Sequence, residues 1–255
     1  SYSVTGVQTC ALPILKSASI MPCMDLSEMI HLLGEILGQV IREQESPAAL
    51  EQEERIRALA KKRREGNPDA EKELTAEISS LDPPSAHAVA AAFSLYFDLV
   101  NAAEEIHRVG ILRKREIEKH PKPVHDSIGE AVALLKEQGV SSPQMADLLN
   151  NLEIELVLTA HPTEARRRTI LSKLNRISEI LKNLRKPDLL PREYERLQRA
   201  LHDEVTVFWL TERSRTVRPT ATDEVRTSLF FIDQVLWQTL PRIYDDLNKA
   251  LQEDR

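Results

Sequence analysis

Ile154-Glu-Leu-Val-Leu-Thr-Ala-His-Pro-Thr-Glu-Ala-Arg-Arg-Arg-Thr169 is the stretch on which the fold reading turns. Its first part is short, aliphatic and β-branched, and predicts a buried strand over about 153–159. Its second part opens a helical pattern that runs over 163–184. A residue at the carboxyl end of a parallel strand, just before a helix, faces the crevice where α/β proteins bind ligands. That places His161 as a candidate acid–base group. Pro162 suits a first helical position, where its missing N–H costs nothing. Glu164 agrees with the partial positive charge of a helix start, whereas Arg166, Arg167 and Arg168 oppose it. Adjacent residues fan by about 100° around a helix, so at most two of the three arginines share a face. Arginines gather there to advantage when an anion or a carboxylate from elsewhere sits nearby, because the guanidinium fork matches both. The plainer reading is a solvated helix start with a Glu164–Arg168 pair worth a few tenths of a kcal/mol. The residues by themselves leave both readings open.

Outward from this stretch, helical periodicity dominates. Leu26, Met29, Ile30, Leu33, Ile36, Leu37 and Val40 recur at three- and four-residue steps, with Asp25 or Ser27 able to cap the start and Ser46-Pro47 to end the run. A charged helix to Glu65 stops at Gly66-Asn-Pro68, and a shorter one to Leu81 stops at Asp82-Pro-Pro84. The next runs from about Ser85 to Val109 and carries Phe93, Tyr96 and Phe97. His120-Pro-Lys-Pro123 is a break, and two more helices reach Asn151. Beyond the predicted strand, helices are expected at 163–184, 191–213 and 222–252. The fold class is therefore mainly α with one short strand. The expected organisation is a helical region over 24–151, followed by the strand and further helices over 152–255. No stop signal precedes Arg255, so the pattern reads as cut rather than finished.

Val4 to Ile14, VTGVQTCALPI, reads as the in-frame translation of a sequencing adapter, so residues 1–23 are set aside from the fold reasoning. The natural start is expected at Met24 or Met21. Both cysteines, Cys10 and Cys23, precede Met24, which leaves no disulfide framework or thiolate chemistry in the remainder. Seven glycines in 255 residues, with 29% charged and 42% hydrophobic residues, is a helix-forming, globular composition. The net charge of −6 gives no bulk attraction to nucleic acid. No uncharged apolar run approaches the roughly 18 residues of a membrane span, and the expected location is the cytoplasm.

Other strings are weaker. Arg218-Pro-Thr-Ala-Thr-Asp-Glu224 reads as a loop leading into a helix start, with Thr220 and Asp223, or Thr222, as caps. Glu28-Met-Ile-His31 and Glu104-Glu-Ile-His107 have the spacing of half-sites in di-metal helical bundles. Glu28 and His31 lie on the polar face of their helix, however. Glu104 and His107 continue the Phe93, Phe97, Val100 stripe, as a buried hydrogen-bonding pair more readily than as ligands. Lys61-Lys-Arg-Arg64 complements the negative end of its helix. Glycine-rich phosphate loops, His-Glu-x-x-His and cysteine metal motifs do not occur.

Val157-Leu-Thr-Ala-His-Pro-Thr-Glu164 with Arg167-Arg168-Thr169 resembles the phosphoenolpyruvate carboxylases. So do Leu33 to Glu45, Ala92 to Glu105 with His107-Arg108, Arg218-Pro-Thr220 with Asp223-Glu224, and Leu236-Trp237 with Pro241. The resemblance covers Met24 to Arg255, about the first quarter of the family's length. It implies a carboxy-lyase of carbon dioxide fixation that joins phosphoenolpyruvate and bicarbonate into oxaloacetate, a tricarboxylic acid cycle intermediate, and phosphate. It implies Mg2+ or Mn2+, an allosteric cytoplasmic homotetramer, and a helix-rich elaboration of a β/α barrel. His161 would help break down carboxyphosphate, with Arg167 and Arg168 as anion-binding candidates. The metal ligands would lie outside this stretch, so the piece alone is expected to be inactive and prone to association. One departure stands at Thr211-Glu-Arg-Ser214, where the family often has Thr-Asp-Glu. The competing expectations are a di-metal helical bundle and a non-catalytic helical interaction module.

Overall fold

The computed structural model describes residues 24–155, 168–212 and 220–252. Four helices form the main core: α1 (Leu26–Gln44), α4 (Pro83–Lys119), α7 (Arg168–Leu184) and α8 (Pro191–Trp209). α1 packs on α4 and α8, while α7 packs on α4 and α8, which closes a four-helix ring. Met29, Leu33 and Val40 of α1 meet Leu95 and Leu99 of α4, Ile177 and Leu181 of α7, and Leu201, Val205 and Phe208 of α8. All of these are fully buried. Each apolar stripe follows the three- and four-residue spacing that puts side chains on one helix face.

α1 starts on a capping box. The Glu28 amide donates to Asp25 Oδ1 at 2.8 Å, and the Asp25 amide donates to Glu28 Oε2 at 2.7 Å. α2 (Pro47–Arg64) and α3 (Pro68–Ser79) form a hairpin on the flank. Gly66, at φ 87°, supplies the left-handed turn between them. Ile56 and Leu74 close this hairpin onto Val89 of α4. α5 (Ile128–Glu137), α6 (Ser142–Asn150) and α10 (Trp237–Gln252) share a smaller cluster around Val132, Met145 and Ala250. The Lys136 ammonium donates to the Ala250 carbonyl across it at 3.2 Å.

Several sequence expectations need correction. The predicted buried strand over 153–159 is not seen among the described residues. Glu153–Glu155 is irregular, and Ile154 is 75% exposed; residues 156–159 lie outside the described residues. A strand exists only when another strand takes its hydrogen bonds, and the described residues provide none. α4 does not end near Val109 but continues to Lys119, so Gly110 is interior to a 37-residue helix. Arg185 accounts for a glycine at this position. Its Nη1 donates to the Ile106 carbonyl at 3.3 Å, and a Cβ on Gly110 would stand 3.3 Å from the guanidinium. Its Nε also reaches the Met24 carbonyl at 3.2 Å, so one side chain ties α1, α4 and the end of α7 together. α8 ends at Trp209, short of the expected Arg213.

The last helical stretch is continuous from Ala221 to Gln252, but not uniform. α9 (Ala221–Phe231) passes through a π-helical turn at Ile232–Leu236 into α10, where the Trp237 amide bonds to the Ile232 carbonyl. Pro241 lies within α10. One window of α4 is apolar enough, at mean hydropathy 1.2, to match a membrane span by length and composition. That same helix supplies Leu95, Leu99 and Ala103 to the core, which accounts for its apolarity.

Candidate functional site

The candidate site is the amino end of α7. His161 and Arg167 lie outside the described residues, as does Glu164, the expected partner of Arg168. Arg168 is the first residue of α7 and is exposed. Its guanidinium carbon stands 5.5 Å from the centre of the Phe230 ring, a cation–π contact that brings α9 to the start of α7. No acidic residue occupies the first turn of α7. The described part of α7 therefore opens on an exposed arginine, whose planar guanidinium suits an anion.

Beside it runs an open cleft of about 500 Å³, lined by Arg176 and Glu179 of α7, Glu204 of α8, and Phe230 and Gln234 beyond. Arg176 Nε pairs with Glu204 Oε1 at 3.3 Å, while Glu204 Oε2 is buried without a hydrogen-bond partner. Sequence reasoning missed Lys173, one turn into α7, which is only 6% exposed. The signal was available, because Lys173 sits in the Ile170, Leu174, Ile177 apolar spacing where a charge is out of place.

Arg218 lies outside the described residues. The cap predicted just beyond it is present. Thr220 Oγ1 donates to Asp223 Oδ2 at 2.7 Å, and the Asp223 amide donates back to Thr220 Oγ1 at 3.3 Å. Thr220, not Thr222, begins the helix.

The two Glu-x-x-His strings do not converge. Glu28 is spent on the α1 capping box, and His31 pairs with Glu35 at 3.2 Å on an exposed face. Glu104 is exposed, and the buried stripe of α4 is Leu95, Leu99, Ala103 and Ile106 rather than Phe93, Phe97 and Val100. Phe97 is 59% exposed. His107 keeps its Nδ1 buried without a partner. The one set with metal-ligand proximity among the described residues is His125, Asp126 and Glu130. It lies at the start of α5, and its geometry is that of a loop clamp. Glu130 Oε2 takes a 2.7 Å bond from the Asp126 amide and stands 2.7 Å from His125 Nδ1. The hydrogen bond to Glu130, with the charge of Asp126, holds the His125 pKa above its ordinary value. The same bond and the Asp126 amide hold Glu130 below its own.

Comparison with known proteins gives this arrangement a family. The sequence profile described as phosphoenolpyruvate carboxylase matches residues 26–255. The phosphoenolpyruvate carboxylase of Pseudomonas paraeruginosa is 41% identical over 234 residues, which is 91% of this chain and 26% of that protein. Those of Rhodothermus marinus and Roseiflexus castenholzii are each 39% identical, over 89% of this chain and 24% of theirs. The chain spans about a quarter of the length of the curated relatives it matches. The profile covers nearly all of the chain, including the helix-rich bundle and the segment leading into α7, and the chain belongs to the phosphoenolpyruvate carboxylase family.

Proposed function

We propose that this chain supplies the histidine-motif quarter of an enzyme that carboxylates phosphoenolpyruvate with bicarbonate, releasing phosphate and oxaloacetate. The observation that carries the reading is the profile match over 26–255, which includes the Thr159–Thr169 motif. In this reading His161 handles the acidic proton of carboxyphosphate as it breaks down, and the pyruvate enolate captures the carbon dioxide. Arg167 and Arg168 hold anionic groups at the amino end of α7. The exposed Arg168 at the start of the described part of α7 supports that role.

The reading includes Mg2+ or Mn2+, which would supply charge neutralisation at the reacting oxygens. The described residues do not fit such a site. Their one candidate cluster, His125 with Asp126 and Glu130, is exposed and is used to clamp the start of α5. The metal ligands are assigned to the part of the family's length that this chain does not span. So are the remaining substrate contacts and the allosteric sites of a cytoplasmic homotetramer. Residues 24–151 act as a helical scaffold and 152–255 bring in the motif. Neither membrane nor nucleic acid has a role.

A chimera tests the reading. Residues 24–255 replace the matching quarter of the Rhodothermus marinus enzyme, and oxaloacetate is followed. Bicarbonate-dependent oxaloacetate formation by the chimera, with none by the chain alone, is expected. A folded, soluble chimera without activity would overturn the proposal. The di-metal bundle alternative is disfavoured because Glu28 is used in the α1 capping box and the two Glu-x-x-His pairs form no group with metal-ligand proximity among the described residues.

A further inference from the structure

We propose that Phe230 is a positioning residue that sets the Arg168 guanidinium to receive the anionic substrate; this rests on the reading of Arg168 as an anion-binding group. Arg168 is exposed, and its guanidinium carbon stands over the Phe230 ring, 5.5 Å from its centre. An exposed arginine has a long stem with many rotamers, and an anion that binds it must first still that motion. A ring stills it in advance. The kind of contact matters as much as its presence. A carboxylate holds a guanidinium through its N–H donors and cancels its charge. A phenyl ring has neither an acceptor oxygen nor a net charge, and holds the cation through its π face. Such a contact leaves the donors turned away from the ring to a carboxylate or phosphoryl group, in the planar fork that suits both.

Phe230 has no core role among the described residues. α9 has no buried residue, and Phe230 belongs to none of the three apolar clusters. Val225, Leu229, Phe231, Ile232 and Val235 around it are exposed, whereas Phe230 is half-buried. It is turned toward the bundle, where it lines the cleft with Ser172 and Arg176 of α7 and Glu204 of α8. Phe231 braces it edge to face, with ring centres 5.6 Å apart and planes at 76°. The backbone fixes the ring from both sides. The Thr220–Asp223 capping box sets the start of α9. The π turn at Ile232–Leu236 follows within two residues of Phe230. A π turn takes more residues than an α turn, and so rotates the helix before it against the helix after it. After the turn, α10 lays Leu247, Ala250 and Leu251 on the cluster of α5 and α6. Before it, α9 brings Phe230 to the start of α7. One continuous helical stretch thereby serves two neighbours, and the contact at its amino end is with Arg168.

The test uses the chimera with Phe230→Leu, Phe230→Tyr, Arg168→Met and the double variant of Phe230→Leu with Arg168→Met. Phe230→Leu should raise KM for phosphoenolpyruvate about two- to fivefold, the size of an exposed cation–π contact, and leave kcat nearly unchanged. Phe230→Tyr keeps the ring and should hold KM at the wild-type value. Arg168→Met should raise KM further. In that background Phe230→Leu should add nothing, because the ring acts through the arginine. Should Phe230→Leu misfold, Phe230→Met takes its place. In this chain by itself, the ring current should move the Arg168 δ-methylene protons upfield in NMR spectra, and Phe230→Leu should abolish that shift. Unshifted Arg168 protons in the wild type overturn the inference. So does an unchanged KM in Phe230→Leu, a loss confined to kcat, or a KM effect that adds in full to that of Arg168→Met; each leaves the carboxylase reading intact. A folded wild-type chimera without activity overturns both.

Discussion

Two histidines show how differently a single side chain can be set. His125 is exposed but clamped, with Glu130 and Asp126 favouring its charged form. Its folded pKa lies above the ordinary 6.5, so its contribution is complete at low pH and is lost as pH rises through the folded value. Glu130 lies below its ordinary 4.5, so its contribution is complete above that and is lost as pH falls through its folded value. The clamp therefore holds best between the two ordinary values, 4.5 and 6.5, in the mildly acidic range. NMR titration should find the His125 pKa above the ordinary histidine value, and Glu130→Gln should bring it down. An unshifted His125 would show that the clamp does not form in solution.

His161 carries the chemical expectation. Positioned acid–base groups contribute about 10² to 10⁴-fold in rate. In the chimera, His161→Asn should lose oxaloacetate formation by a factor in that range while the protein stays folded. It should still cleave phosphoenolpyruvate in a bicarbonate-dependent manner and release pyruvate. Equal loss of both products would move His161 to substrate binding or to the first step, and undiminished oxaloacetate would remove it from the mechanism.

At the scale of elements, caps and ties decide which helices hold. α9 has no buried residue of its own, so it depends on the Thr220–Asp223 capping box and on contact with Arg168. Losing a threonine cap costs about 0.5–2 kcal/mol. In Thr220→Ala, amide exchange should accelerate in α9 and leave the α1, α4, α7 and α8 core protected, because α9 lies outside that core. Global loss of protection would show that α9 is integral to the bundle. Arg185 plays the opposite part. It sits at the end of α7 yet bonds to carbonyls of Met24 and Ile106, so Arg185→Met should lower stability by about 1–3 kcal/mol in chemical denaturation.

Across the whole molecule, apolar surface is unevenly distributed. The four-helix ring buries a continuous apolar cluster, and Leu99→Ala or Leu201→Ala should each cost about 2–5 kcal/mol. The stretch from Val225 to Tyr244 is the reverse. Val225, Leu229, Val235, Leu240, Trp237 at 76% exposure and Tyr244 at 71% all face outward. Surface of this kind drives association. The chain should self-associate in sedimentation velocity, and Trp237→Lys with Leu229→Lys should shift it toward monomer. A monodisperse wild-type monomer at high concentration would count against this.

The sequence by itself determined what depends on neighbours along the chain. Caps at Asp25, Ser46 and Thr220, breaks at Gly66 and His120-Pro121, and the helical stripe of α1 are bonds and spacings within a few residues. The family likewise was legible from continuous strings such as Thr159–Thr169. Tertiary structure decided everything that depends on distant neighbours. Arg185 occupies the space over Gly110, and α4 runs on to Lys119 where the sequence suggested an end near Val109. Phe97 faces water and Lys173 faces the core, because packing against α1, α7 and α8 fixes which stripe of each helix is covered. Glu153–Glu155 forms no strand among the described residues, since strand hydrogen bonds need a partner that periodicity cannot provide.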